Sequence, residues 1–169
     1  MIFFSGFGFE NESSLFSEFL EDANYNLAGF SYGAQKAIDF ALASQNRINK
    51  IFLFSPAFFN NKDSNFRHSQ IESFKKNQKF YMNFFLKNAG FRKEWAKFLA
   101  TPKLSDLESL LNYEFKKENL KTLTNKGIKI IVYLGDKDKI VDSSIAAEFF
   151  RKFGIVYFLK NKNHFLKES

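Results

Sequence analysis

The chain has 169 residues, of which 45% are hydrophobic, with 25 phenylalanines, two histidines, no cysteine and a net charge of +7. That length allows one domain with a buried core and is short for two; the apolar content excludes a disordered chain, and the lack of cysteine excludes disulfides and thiolate-bound metals. Residues 1–59 carry −3, residues 60–103 carry +7 and residues 104–169 carry +3, so the middle segment alone equals the whole excess. A basic block of this kind is either a solvated helix face or a surface for an acidic partner, which could be nucleic acid, membrane or acidic protein.

The first element is a short apolar strand, Ile2 to Phe4, running into Ser5-Gly6-Phe7-Gly8. The N-terminus lacks a basic region and soon meets Glu10 and Glu12, and no later segment approaches the length of a membrane span. No leader and no membrane contact are therefore expected, and a cytoplasmic location is. Asn11 to Asp22 have the pattern of a short amphipathic helix, and Asn24 to Ala28 that of a second strand. There follows Gly29-Phe30-Ser31-Tyr32-Gly33, with Ala34, Ala37, Ile38 and Ala41 at helical spacing behind it, up to about Ser44. A serine between two glycines, where a strand meets a helix, is the pattern of a nucleophile elbow: the glycines permit a tight turn that exposes the hydroxyl, and the helix aims its positive end at the reacting centre.

Lys50 to Ala57, KIFLFSPA, is an unbroken apolar run suited to a strand buried on both faces, with Pro56 ending it. From there to about Lys121 no strand is visible, and the pattern is helical and basic, in three or four short helices. Ser105 to Glu108 reads as a capping box opening one of them. IKIIVYLG is a further strand, SSIAAEFFRKFG a helix capped by Ser143 and stopped by Gly154, and IVYFLK the last strand. Strands alternating with helices predict an α/β fold with a parallel sheet of about five strands, formed by residues 1–59 and 122–169, with a helical insert over 60–121. Ser31 and the Gly135-Asp136-Lys137-Asp138 turn then lie at carboxyl ends of strands, the edge where open parallel sheets bind ligands.

A serine nucleophile needs a base. His68 sits in the basic insert, where a solvated surface residue is expected; His164 follows the last strand, near the edge that carries Ser31, and is the candidate base. The base in turn needs a carboxylate, and Asp136, Asp138 and Asp142 all follow the strand that ends at Leu134.

The order Ser31, then an Asp after a strand, then His164 resembles the α/β-hydrolase superfamily. The resemblance implies a minimal α/β-hydrolase fold, a helical lid made by the insert, and Asp138 as the acid, because Gly135-Asp136-Lys137-Asp138-Lys139-Ile140-Val141 is similar to the superfamily's G-x-x-D turn with an apolar pair behind it. Asp136 and Asp142 are then turn-forming or helix-capping residues. Ser5-Gly6-Phe7-Gly8 is similar to the H-G-x-G turn of the oxyanion hole, implying backbone N–H donors at Phe7 and Tyr32. Ser5 stands in place of the usual histidine, and Asn163 in place of a glycine before the base. The strands that usually precede the oxyanion strand have no counterpart here, nor does the one usually found between it and the elbow strand.

Within the superfamily, SGFGF, GFSYGA, the basic insert and GDKDKIV with NHF most resemble the short esterases of biotin synthesis that cleave pimeloyl-acyl-carrier-protein methyl ester. That resemblance implies a carboxylesterase needing neither metal nor cofactor, with acyl-carrier protein as partner and the chain a monomer. Carrier contacts would fall to Arg67, Lys75, Lys76, Lys79, Arg92 and Lys93 of the insert. An acyl thioesterase and a general short-chain carboxylesterase are the enzymatic alternatives. A non-catalytic or nucleic-acid-binding module is the other class, although the basic stretch contains no recognisable nucleic-acid motif.

Overall fold

A computed structural model describes residues 1–21 and 23–169. Among these residues five strands form one parallel sheet, β1 (Ile2–Phe4), β2 (Asn26–Phe30), β3 (Lys50–Phe54), β4 (Lys129–Gly135) and β5 (Ile155–Leu159), in the spatial order β1-β2-β3-β4-β5. The apolar runs become strands because alternate side chains bury on opposite faces. Leu27, Ile51, Leu53, Ile130, Val132 and Leu134 pack on one side against α1 (Tyr32–Ala43), α5 (Lys117–Asn125) and α6 (Ser143–Phe150). Ala28, Phe30, Phe52, Phe54 and Ile131 pack on the other, under a 3-10 helix (Glu12–Phe19) and Phe165, Leu166, Trp95 and Phe98. Phenylalanines are more numerous on this second face than on the first; the Phe16 ring lies 4.8 Å from those of both Phe30 and Phe54.

Between β3 and β4 the chain forms α2 (Ser64–Lys76), α3 (Gln78–Ala89), a 3-10 helix (Lys93–Phe98), α4 (Leu104–Asn112) and α5. Phe74, Met82, Leu107, Leu110 and Leu111 of this segment close on Phe7, Ala57, Phe59 and Val141, so α2 to α4 cover the carboxyl edge of the sheet. α5 begins inside the span assigned to the insert, yet its Leu120 and Leu123 belong to the core beneath α1.

Several local expectations shift. The segment expected as an amphipathic helix from Asn11 is a 3-10 helix beginning at Glu12, and its expected end, Asp22, lies outside the described residues. β3 stops at Phe54 and not at Ala57, because Ser55 takes φ 41° and turns the chain out of the strand. Ser105 caps nothing: it lies within α4, whose cap position is Lys103, without a side-chain bond. α6 is capped by Asp142, which accepts from the Ile145 amide, and not by Ser143. No helix among the described residues is long and apolar enough to cross a membrane.

Candidate active site

Ser31 sits between β2 and α1 with φ 52° and ψ −111°, a region costly for a residue with a Cβ. The surroundings hold it there. Its amide donates to Phe54 O at 2.9 Å, and its carbonyl accepts from Ala34 N and Ala57 N, both at 3.1 Å. The two glycines of the motif answer to close approach: a Cβ on Gly33 would lie 1.8 Å from Phe4 O of β1, and one on Gly29 would lie 2.2 Å from Gly33 O. Helix and strand cross too tightly for any side chain at either position, and the serine is thereby lifted to the sheet edge.

Three side chains from distant segments meet at that edge. Ser31 Oγ lies 3.0 Å from His164 Nε2, and His164 Nδ1 lies 2.7 Å from Asp138 Oδ2. The side chains of His164 and Asp138 are fully buried. The other carboxylate oxygen of Asp138 accepts from the amides of Ile140 (2.7 Å) and Val141 (3.2 Å), so the group is oriented from both ends. With Nδ1–H donating to Asp138, Nε2 is left to accept from the serine hydroxyl. The loop that delivers His164 is set by Asn163, whose Oδ1 accepts from Phe165 N and Lys167 N at 2.9 and 3.2 Å. Asp136 and Asp142 stand apart from the histidine: Asp142 caps α6, and Asp136 has a buried oxygen without a partner.

The turn after β1 faces the same place. Phe9 N donates to Gly6 O (3.2 Å), and the outer limb is tied to the insert through Glu10 N to Phe98 O (2.8 Å) and Ala100 N to Gly8 O (2.9 Å). Among the described residues the Phe7 and Tyr32 amides donate no hydrogen bond outside the regular elements, and Tyr32 is the first residue of α1, where an amide has no acceptor within the helix. A cavity of about 160 Å³ is lined by Phe7 and reaches Ser31. Its walls are apolar, with Phe7, Phe59, Phe84 and Leu111 among them, and its polar groups include Gln70 and Asn88. Tyr81 donates to Gln70 Oε1 at 3.0 Å, and burial pushes its phenol up to about 12. Such an arrangement can accept an acyl chain, attack its carbonyl, and return a proton to the leaving group.

The six basic residues proposed from the sequence do not share one setting. Arg67, half-buried on α2, has a buried Nε without a partner among the described residues and directs Nη2 to Phe59 O at 3.5 Å. Lys75 pairs with Glu72 at 3.3 Å. Lys76, Lys79 and Lys93 are exposed. Arg92 lies over the Trp95 ring and reaches Glu168 O. His68 is exposed on α2 and takes no part in the series of Ser31, His164 and Asp138. Among the described residues no cluster of three or more His, Asp or Glu side chains could hold a metal ion. Two buried polar residues escaped the sequence reading. Gln35 on α1 donates from Nε2 to Ala57 O (2.9 Å) and Leu110 O (3.0 Å), joining the elbow helix to α4. Glu12 is wholly buried beneath the turn after β1. Neither carries a motif or a spacing that could have marked it.

No protein-family model matches the sequence, and no curated protein sequence matches it. Solved structures do. The fold is similar to that of an esterase from Exiguobacterium antarcticum, with TM-score 0.65 and 17% identity, over 82% of this chain but only 59% of the other. The chain therefore spans less than two thirds of that enzyme. A lipase-esterase related protein from Clostridium acetobutylicum gives TM-score 0.69 at 15% identity, over 97% of this chain and 86% of the other. BioG from Haemophilus influenzae gives 0.62 at 12% identity, over 98% and 88%. At these identities the likeness concerns the fold, which is a minimal α/β-hydrolase fold of five parallel strands with flanking helices.

Proposed function

We propose that this chain is a serine carboxylesterase that hydrolyses the methyl ester of a pimeloyl chain borne by acyl-carrier protein. One observation carries the reading: Ser31, hydrogen-bonded in series to the buried side chains of His164 and Asp138, lines an apolar cavity roofed by a basic, phenylalanine-rich insert. Support for the substrate comes from the resemblance of the motifs to short carrier-ester esterases and from the similarity to BioG over most of both chains.

In this mechanism Ser31 Oγ attacks the ester carbonyl as His164 Nε2 takes its proton, a contribution of about 10²- to 10⁴-fold for a well-placed general base. Asp138 keeps the imidazole in the accepting tautomer and stabilises the imidazolium. The Phe7 and Tyr32 amides hold the oxyanion, each such donor being worth about 10²- to 10³-fold, with the α1 dipole adding to the field. Nε2 then protonates the departing methanol, and the same base activates the water that frees the acid from Ser31. The residues need no metal or cofactor for any of these steps.

A thioesterase or a general short-chain carboxylesterase would use the same groups, and the products separate them. Incubated with the carrier-bound methyl ester, the enzyme should release methanol and leave the carrier thioester intact. Release of free carrier thiol points to the thioesterase; turnover of small esters alone points to the general esterase and removes the carrier-bound substrate.

A further inference from the structure

The turn that offers the Phe7 amide rests on a buried acid. Glu12 opens the 3-10 helix that follows the turn, and Asn11 just before it takes a left-handed φ of 58°, which swings the chain back under Ser5–Gly8. The Glu12 side chain is fully enclosed at 0% exposure. Its Oε1 accepts from the Gly6 amide at 2.7 Å, while Oε2 has no partner among the described residues. A carboxyl group is costly to place there, and one of its oxygens is left unsatisfied. Burial raises its pKa, opposed by the Gly6 amide, by its own amide, by the Ser5 hydroxyl and by Lys36 of α1. A buried carboxylate kept at this cost, and bonded to the Ser5–Gly6 peptide next to the one that carries the Phe7 amide, implies that the bond itself is needed.

We infer that Glu12 is a positioning residue for the hydrolysis: its hydrogen bond to the Gly6 amide fixes the Ser5–Gly8 turn so that the Phe7 amide faces the carbonyl oxygen held over Ser31. The inference rests on the esterase reading above. Besides its internal bond from Phe9 N to Gly6 O, the turn is tied to its surroundings on two limbs. The outer limb is held by Phe98 and Ala100 of the insert, and the inner limb by Glu12. Without the second, the Gly6–Phe7 peptide keeps only the 3.2 Å bond from Phe9 N to Gly6 O and can tilt about its flanking bonds, since glycine offers little resistance. A displacement of about 1 Å at such a donor costs on the order of 10²-fold in rate. Substrate affinity is governed by the apolar cavity and should change little, which separates this role from general support of the fold.

The test uses the full chain with three variants, a p-nitrophenyl ester of a short acid, and amide hydrogen exchange at Gly6 followed by NMR. Glu12→Gln retains an acceptor of the same reach; it should keep kcat within about threefold and keep the Gly6 amide protected. Glu12→Ala should lower kcat about 10- to 100-fold with KM within about twofold, and expose the Gly6 amide to exchange. Should Glu12→Ala not fold, Glu12→Asp, one methylene short of Gly6, takes its place with the same expected losses. Unchanged kcat in a folded Glu12→Ala or Glu12→Asp overturns the inference, and so does a Glu12→Gln that protects Gly6 but is as slow as Glu12→Ala. Failure of the esterase reading looks different: the wild type then turns over no ester and Ser31 takes no fluorophosphonate, whatever Gly6 does.

Discussion

Replacing Asp138 by Asn tests the geometry around His164 with one atom exchanged. In the wild type, Oδ1 accepts two amides, Ile140 at 2.7 Å and Val141 at 3.2 Å, and Oδ2 meets His164 Nδ1 at 2.7 Å. Asparagine has one acceptor and one donor to distribute between these sites. If its carbonyl keeps the two amides, its NH2 points at Nδ1, which must then accept; the ring proton moves to Nε2, 3.0 Å from Ser31 Oγ, and that nitrogen can no longer take the serine proton. If the amide flips, two buried N–H groups lose their acceptor at about 1–3 kcal/mol each. The first arrangement is therefore favoured, and it is the inactive one. The expected loss in kcat is roughly 10⁴-fold, with stability lowered by about 1–3 kcal/mol. Hydrolysis of a p-nitrophenyl ester, with circular dichroism to verify the fold, measures both. Asp142→Asn is the control, since Asn caps a helix about as well as Asp, and it should stay within about twofold. A folded Asp138→Asn within tenfold of wild type, or a crippled Asp142→Asn, would refute the argument.

At the elbow, Gly33→Ala drives a Cβ to 1.8 Å from Phe4 O, so thermal melting should fall by several degrees or more, at about 2–4 °C per kcal/mol for a domain of this size; Gly127→Ala, with positive φ but open space around it, should cost only about 1–2 kcal/mol, and equal losses would contradict the close-approach account. Because burial raises the Glu12 carboxyl above 4.5, the folded state holds a proton that the unfolded state has already released, and stability falls as pH rises through the window from 4.5 to that higher value. Glu12→Gln removes the titration, so its melting temperature relative to wild type should climb across that window and then level, whereas a constant difference would contradict the shift. Lys76→Glu with Lys79→Glu, both exposed on the insert, should weaken turnover of the carrier-bound ester and its salt dependence while leaving a small uncharged ester unchanged; equal loss on both substrates would indicate a damaged fold.

Most of the sheet was legible in the sequence, because Leu27-Ala28, Ile51 to Phe54 and Ile130 to Leu134 are apolar on both faces and are bounded by turns. Ser31, His164 and Asp138, which the structure brings within hydrogen-bond distance in series, stood out for different reasons: Ser31 for the glycines of the elbow, His164 for its place after the last strand, and Asp138 only through the resemblance of its turn to G-x-x-D. Helix starts were less legible. Ser105 and Ser143 look like caps, but Lys103 holds the cap position of one helix and the Asp142 carboxylate caps the other; which residue caps depends on where the backbone enters the helix. The boundary between insert and core, set after Lys121, runs through α5 (Lys117–Asn125), because nothing in KENLKTLTN distinguishes a helix packed on α1 from one packed on α2. Glu12 was read only as an acidic residue near the N-terminus. Its importance arises from long-range folding, in which a left-handed Asn11 turns it under Gly6, and no local pattern encodes that. Likewise, Arg67 and Arg92 look free in sequence, yet each reaches a backbone carbonyl.

The account stands on Ser31 being a nucleophile activated by His164. Treating the folded protein with a fluorophosphonate and mapping the adduct by mass spectrometry tests this directly. One adduct is expected, on the peptide containing Ser31, absent in Ser31→Ala and slowed by orders of magnitude in His164→Ala. A folded wild type that takes no label, or takes it at another residue, would contradict the account.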